Sequence, residues 1–505
     1  MKSNKKYVLL LLLLIITILS MTVVSAENNS NDTTINKEVS IKYDNTQTVL
    51  ENPNANIKEV NYQKTDTINA NTTTQDNITE ITSNQKTLKT DTKYPVLYVN
   101  SKGLENNTGN DIDNPTTFKH ALTNIADNGT IYLVTNSNSD VYTFTTDIQL
   151  TAYSSDYSLS RINIIGQNGK NITISGSNKT SLFYIYRVNV NFNNINFINS
   201  KGSSGAIYAG SSNITIANST FTGNYGTKYG SSIYATSSKI NITNTLFDKN
   251  NCSYGAAIYS TYSTIKITSS NFTRNNASNG AGIYGKNSNI TISSSIFANN
   301  TAINGAGIYL LKSNTTITST RFVQNTAKYY GAAIVQLNEG KLNIKTSNFT
   351  SNTASTAGAI YVMQSSLTAV TSVFENNNAY MAGAIFTYNN TVVVTDNSIM
   401  GNNRNKSLVE LIFAKSSNIN DNWWGINNPD FASITLGLIP DRWRLMTFKS
   451  LSTSGNITQI QVSLKRLSNG EHHLLIYLQE LLHSKQQVQH LQKNLHQSHQ
   501  KSTIP

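Results

Sequence analysis

Few side chains in this chain can do chemistry, and their spacing limits what that chemistry could be. Between residues 200 and 420 the acids are Asp248, Glu339, Glu375, Asp396 and Glu410. Hydrolysis of a glycosidic bond needs two carboxylates converging on one face, and a lyase adds calcium ligands or a base. The five acids fall at different places in a recurrent sequence unit, except that Asp248 and Glu375 both directly follow a recurrent Phe. Those two lie five units apart, or about 24 Å at roughly 4.8 Å per unit, too far for a carboxylate pair. His120 stands alone, and the other six histidines follow residue 470. No metal-ligand cluster and no nucleophile with its base can be assembled, so the sequence assigns no catalytic residue, no metal site and no cofactor. Cys252 is the single cysteine. It excludes an intramolecular disulfide and reads as a small residue packed in a unit.

Contact chemistry, by contrast, is spaced regularly. Tyr208, Tyr234, Tyr259, Tyr284 and Tyr309 each follow a recurrent isoleucine. If the isoleucine points inward the tyrosine points outward, and the row becomes a candidate face for sugars or proteins. The competing account is β-propensity with stacking between units. Roughly twenty Asn-x-Ser/Thr sites, among them Asn213, Asn241, Asn271, Asn289, Asn314 and Asn348, are candidate glycan acceptors on an exported chain.

The unit that positions these residues has a tight period. Gly-Ala/Ser-x-Ile-Tyr recurs with its isoleucine at Ile207, Ile233, Ile258, Ile283, Ile308, Ile334, Ile360 and Ile385, in steps of 25 or 26 residues. A second marker, Phe with Asn three residues later, runs beside it from Phe221, Phe247, Phe272, Phe297, Phe322, Phe349 and Phe374. Between the two lies an alternating apolar pair such as Ile265/Ile267 or Ile290/Ile292. A fixed period of this length marks a repeat architecture. Three short strands with period-2 alternation consume one unit, and helical 3.6 periodicity is absent. The fold expected is all-β: a right-handed parallel β-helix, a solenoid of about ten coils with about 25 residues and three short strands per coil. Stacking would place Ile over Ile and Phe over Phe, in a rod on the order of 50 Å long. The asparagine after each Phe would form a hydrogen-bonded column at a turn. Gly205, Gly230, Gly255, Gly280, Gly305, Gly331, Gly358 and Gly383 mark a tight bend before each inward Ile. No proline interrupts the chain between Pro115 and Pro429, as an unbroken ladder of donors requires.

Ahead of the repeats, residues 94–162 read as a cap for the open end of the solenoid. Asn114 and Pro115 would start a short helix with Phe118, Ala121, Leu122 and Ile125 on one face. The repeats themselves run over 163–425.

These paired markers resemble the Gly-Gly-Ala-Ile and Phe-x-x-Asn repeats of the chlamydial polymorphic outer-membrane proteins. They are also similar to the large adhesin-like surface proteins of methanogenic archaea. That second likeness takes in Tyr98-Val-Asn-Ser-Lys-Gly103, Asn114-Pro-Thr-Thr117 and Asn422-Trp-Trp-Gly425 with Pro429, and it covers residues 94 to about 445. The glycine doublet is often Gly-Ala or Gly-Ser here, and no membrane barrel sequence follows. The resemblance implies a non-enzymatic surface protein that meets glycans or surface proteins of other cells. A polysaccharide-active enzyme of the pectin lyase-like fold and a structural envelope protein are the other readings.

The ends of the chain bear on export. Lys2, Lys5 and Lys6, an apolar run from Tyr7 to Leu19 and the small-residue site before Ala26 and Glu27 give residues 1–26 the layout of a signal peptide cleaved between them. An uncleaved anchor reaching Val24 is the alternative, and the membrane enters only through this leader or a missing anchor. Residues 27–93 are polar and lack glycine, and so read as a disordered spacer. Of the net charge of +12, three units belong to the leader and five to residues 440–505. The rest is too dilute for a phosphate-binding surface, which excludes nucleic acid. Residues 426–463 look like the start of an incomplete C-terminal domain. From 464 to 505 the texture changes to Gln, His and Leu, either an amphipathic helix or a translation shifted out of frame.

Overall fold

The structure, a computed structural model, describes residues 93–153, 159–402, 409–412, 416–435, 439–454 and 457–471. The leader with its Ala26/Glu27 site, the spacer up to residue 92 and the tail from 472 lie outside the described residues.

One coil shows how the sequence becomes the fold. In Thr264–Thr268, Ile265 and Ile267 are buried while Thr264 and Lys266 face solvent, as period-2 alternation requires. The chain then turns at Ser269, runs through Asn271–Thr273, turns at Arg274, and continues as Asn276–Asn279 and Ile283–Lys286. Repeated along the rod, these segments form parallel sheets of thirteen, eleven, eight and eleven strands, called here the first to fourth sheets in that order. Parallel crossovers of this kind are right-handed, and the molecule is a right-handed parallel β-helix of about ten coils. The eight-stranded sheet adds a fourth strand to the three expected per coil. It was not legible because most of its strands bury only one small side chain, such as Ala277, Ala302 or Ala327.

Register follows the repeat. Ile207, Ile233, Ile258 and Ile283 pair directly in successive coils of the fourth sheet, and the column continues through Ile308, Ile334, Ile360 and Ile385. Phe197, Phe221, Phe247, Phe272, Phe297, Phe322, Phe349 and Phe374 form a fully buried column, with ring centroids 4.5 to 5.0 Å apart and planes within 13°. Three of the four corners are closed by buried polar columns, and the bend into the fourth sheet by glycine and alanine. Asn275 donates from Nδ2 to Asn300 Oδ1 (3.0 Å) and to the Phe247 carbonyl (3.0 Å), and its Oδ1 accepts from the backbone N–H (3.0 Å) and Nδ2 (2.9 Å) of Asn250. All four of its hydrogen-bonding capacities are filled, so burial carries no unpaired polar group. The same pattern runs from Asn224 to Asn402. The two other polar corners carry serine and threonine columns that end in asparagine. Ser270 Oγ donates to the Thr268 carbonyl (2.9 Å) and accepts from the Thr245 N–H (3.1 Å).

At Gly255, φ is +65°, and a Cβ would stand 2.3 Å from the Ile258 carbonyl oxygen, so both the backbone and the space require glycine. Two coils depart from the expected placement of this bend. In the Ala357-Gly358 and Ala382-Gly383 pairs the alanine holds the left-handed conformation, at φ +61° and +55°.

The segment 94–162 is itself part of the stack, since Tyr94–Val99 and Ile125–Leu133 are the first two strands of the first sheet. Its helix, α1, spans Phe118–Asn124, and its N-cap is Thr117, whose side chain accepts from the His120 N–H. Asn114 does not serve because Thr116 is held to the first strand, donating to the Tyr98 carbonyl at 2.9 Å, so the chain is extended there. Phe118 covers the open end against Phe144 (5.4 Å between centroids) and Phe183 (6.3 Å). At the far end Phe431 lies against Trp424 (5.7 Å) and Trp443 (5.1 Å). Fully buried Arg444 is paired with Asp396 and donates to the Leu464 carbonyl. Residues 426–463 thus begin by closing the last coil. The antiparallel hairpin of Arg444–Ser454 and Ile457–Leu467 crosses the expected boundary at residue 463, with Leu464 and Leu467 buried and Arg442 paired with Glu471.

Candidate binding faces

The tyrosine row occupies the outward side of the fourth sheet, opposite the buried isoleucines. Tyr184 stacks on Tyr208 (4.7 Å, 9°), and Tyr259, Tyr284 and Tyr309 stack in turn at 5.2 and 5.1 Å. Tyr234 is turned edge-on to both neighbours, at 89°. The outward direction matches the expectation and the exposure does not. Tyr259 and Tyr284 are buried, while Tyr208, Tyr234 and Tyr309 are half-buried. They are covered because the chain entering the fourth sheet lays other rings over them: Tyr229 lies 5.6 Å from Tyr234 and 4.6 Å from Tyr259, and Tyr254 lies 5.5 Å from Tyr284. Burial, with the neighbouring phenols second, raises the pKa of Tyr208, Tyr234, Tyr259 and Tyr284, and pushes Tyr309 up to about 12. The row is therefore the spine of a small second core rather than an open contact face. Cys252 is buried with Ala256, Ala277 and Ala281, and burial pushes its thiol up to about 11. Exposed rings stand elsewhere: Tyr262 is 65% accessible and Tyr380 64%.

The acids are dispersed as the spacing implied. Asp248 and Glu375 share one column of the second sheet, five coils apart through Thr273, Ala298, Val323 and Thr350. Asp248 is buried and held by Arg274 at 2.7 and 2.8 Å and by the Thr273 hydroxyl at 2.7 Å. Glu339 pairs loosely with Lys312, at 3.8 Å. Among the described residues, no three His, Cys, Asp or Glu side chains lie close enough to hold a metal ion.

The first sheet presents a repetitive polar outer surface. One outward column reads Asn213, Lys239, Thr264, Asn289, Asn314, Lys341, Ser366. Of the candidate acceptors, Asn213, Asn271, Asn289 and Asn314 are exposed, and Asn241 and Asn348 are half-exposed. The buried corner asparagines, by contrast, are followed by sequences such as Asn300-Thr-Ala and Asn325-Thr-Ala, which are not acceptor sites.

No family model and no curated protein matches this chain. Among solved structures it is similar to pectate lyase Pel9A, at 13% identity over 61% of this chain and 77% of that one, with a TM-score of 0.28. It is also similar to tailspike protein 3 of bacteriophage CBA120, at 12% identity over 67% of this chain and 60% of that one, with a TM-score of 0.32.

Proposed function

We propose that this is an exported, non-enzymatic, adhesin-like surface protein whose rod binds glycans or surface proteins of other cells along its sides. The observation that carries the reading is the repetition of the first-sheet surface, where Asn, Lys, Thr and Ser recur coil after coil in strict register. Such a face offers many weak, similar polar contacts that add by multivalency. Enzymatic chemistry would instead need one place where unlike groups converge. The dispersal of the acids and the pairing of Asp248 with Arg274 agree with the first arrangement. The resemblance to archaeal adhesin-like proteins points the same way, and the leader supplies the export route. The test is a panel of immobilised plant and host glycans exposed to the purified protein. Retention without any released product is expected, and cleaved oligosaccharide in the supernatant would replace this reading with the enzymatic one.

A further inference from the structure

We infer that a cleft at the N-terminal end of the first sheet is a subsite for an uncharged sugar, a refinement that rests on the glycan-binding reading above. Tyr98 and Tyr132 are direct neighbours on the outer face of the first two strands, with ring centroids 5.6 Å apart and planes within 20°. The same column continues to Ile165 and then to Asn193. Two tall parallel rings are thus followed by a shorter aliphatic side chain and then by a carboxamide. The slot from Tyr132 to Asn193 spans two coil spacings, about 10 Å. A pyranose ring has an apolar face of C–H groups that packs on an aromatic ring, and a rim of hydroxyls that paired donors and acceptors recognise.

The walls supply that recognition. Gln167 Oε1 accepts from the Thr135 N–H at 2.8 Å, which leaves its Nε2 without a partner among the described residues. Asn193 Oδ1 accepts from Asn218 Nδ2 at 3.0 Å, so its own Nδ2 is likewise uncommitted among them. Both carboxamides are oriented by a protein bond and have donors to spare. Ile112, 43% accessible, also lines the cleft, on a loop that is tied down on both sides of it. Gly109 accepts from the Tyr98 N–H at 2.6 Å, and Thr116 donates to the Tyr98 carbonyl at 2.9 Å. The cleft measures about 400 Å³, within the range of small-ligand sites, and none of the eleven residues that line it is charged. An uncharged lining of rings and amides fits a neutral sugar and gives an acidic one no counter-charge.

The probe is a panel of immobilised neutral hexose oligosaccharides, in gluco, galacto and manno configurations, beside sialylated and uronic acid oligomers, with the full-length protein. Neutral oligosaccharides are expected to be retained. Tyr132→Ala and Ile112→Glu should each weaken retention about tenfold, and Tyr132→Phe should stay within about threefold. Ile112 is partly exposed on the loop, so its variant separates loss of the site from loss of folding. Unchanged retention by both Tyr132→Ala and Ile112→Glu would dismiss the cleft while leaving the adhesin reading intact, as would loss on Tyr262→Ala alone. Retention of acidic oligomers only would also dismiss it. Failure of the wild-type protein to retain any glycan would remove the cleft together with the glycan-binding half of the proposed function, and leave surface proteins as its partners.

Discussion

Two aromatic columns run along the rod, phenylalanines inside the coil from Phe197 to Phe374 and tyrosines outside it from Tyr184 to Tyr309, and they obey different rules. The inner phenylalanines hold one orientation from Phe197 to Phe374, within 13° between neighbours, because apolar walls enclose them on every side. The outer tyrosines have the same spacing along the rod, yet their planes meet at angles from 9° to 89°. The chain beside them also changes along the rod, with Tyr229 and Tyr254 followed in the same register by Asn279 and Asn304. Period alone therefore fixes packing only where the enclosure repeats as well.

The largest test of this contrast is Phe297→Ala, which empties one link of the inner column. A loss of about 3 to 5 kcal/mol in unfolding free energy is expected by denaturant titration. An effect no larger than that of Tyr284→Ala would collapse the distinction between the two columns. Next is Asn300→Ala, which strips partners from the buried amides of Asn275 and Asn325 and from the Phe272 carbonyl. It should cost about 1 to 3 kcal/mol, less than the phenylalanine, and a stabilised variant would show that the ladder is dispensable. The mildest is an alkaline titration followed by tyrosinate absorbance. The raised phenols favour their neutral form in the folded chain, so their stabilisation is complete below pH 10, the ordinary tyrosine value, and fades as pH climbs toward about 12, where Tyr309 ionises. The outer column should contribute a late phase; one uniform transition near pH 10 would show the outer column to be open to solvent.

Much of this architecture was legible in the sequence, because Ile, Phe and Asn at a fixed period each state their own role. What escaped did so for physical reasons. The strands of the third sheet bury little beyond a small residue such as Ala277, Ala302 or Cys252, which leaves no alternating signal. Ser263, Ser270 and their equivalents read as loop residues until the coil above supplies the N–H that each hydroxyl accepts. Tyrosine exposure was overestimated because its cover comes from the previous coil, in the part of the repeat whose sequence varies most. The N-terminal cleft pairs Tyr98 with a ring 34 positions along the chain, in a segment that precedes the regular period.

The strict register of the coils also makes length adjustable. Each turn receives from one neighbour the same contacts it passes to the other, so excising residues 283–307 would bring Ile258 against Ile308 in the place Ile283 had held. Gain or loss of one repeat would therefore add or remove a whole turn, changing the reach of the protein in increments of about 4.8 Å while both end caps stay as they are.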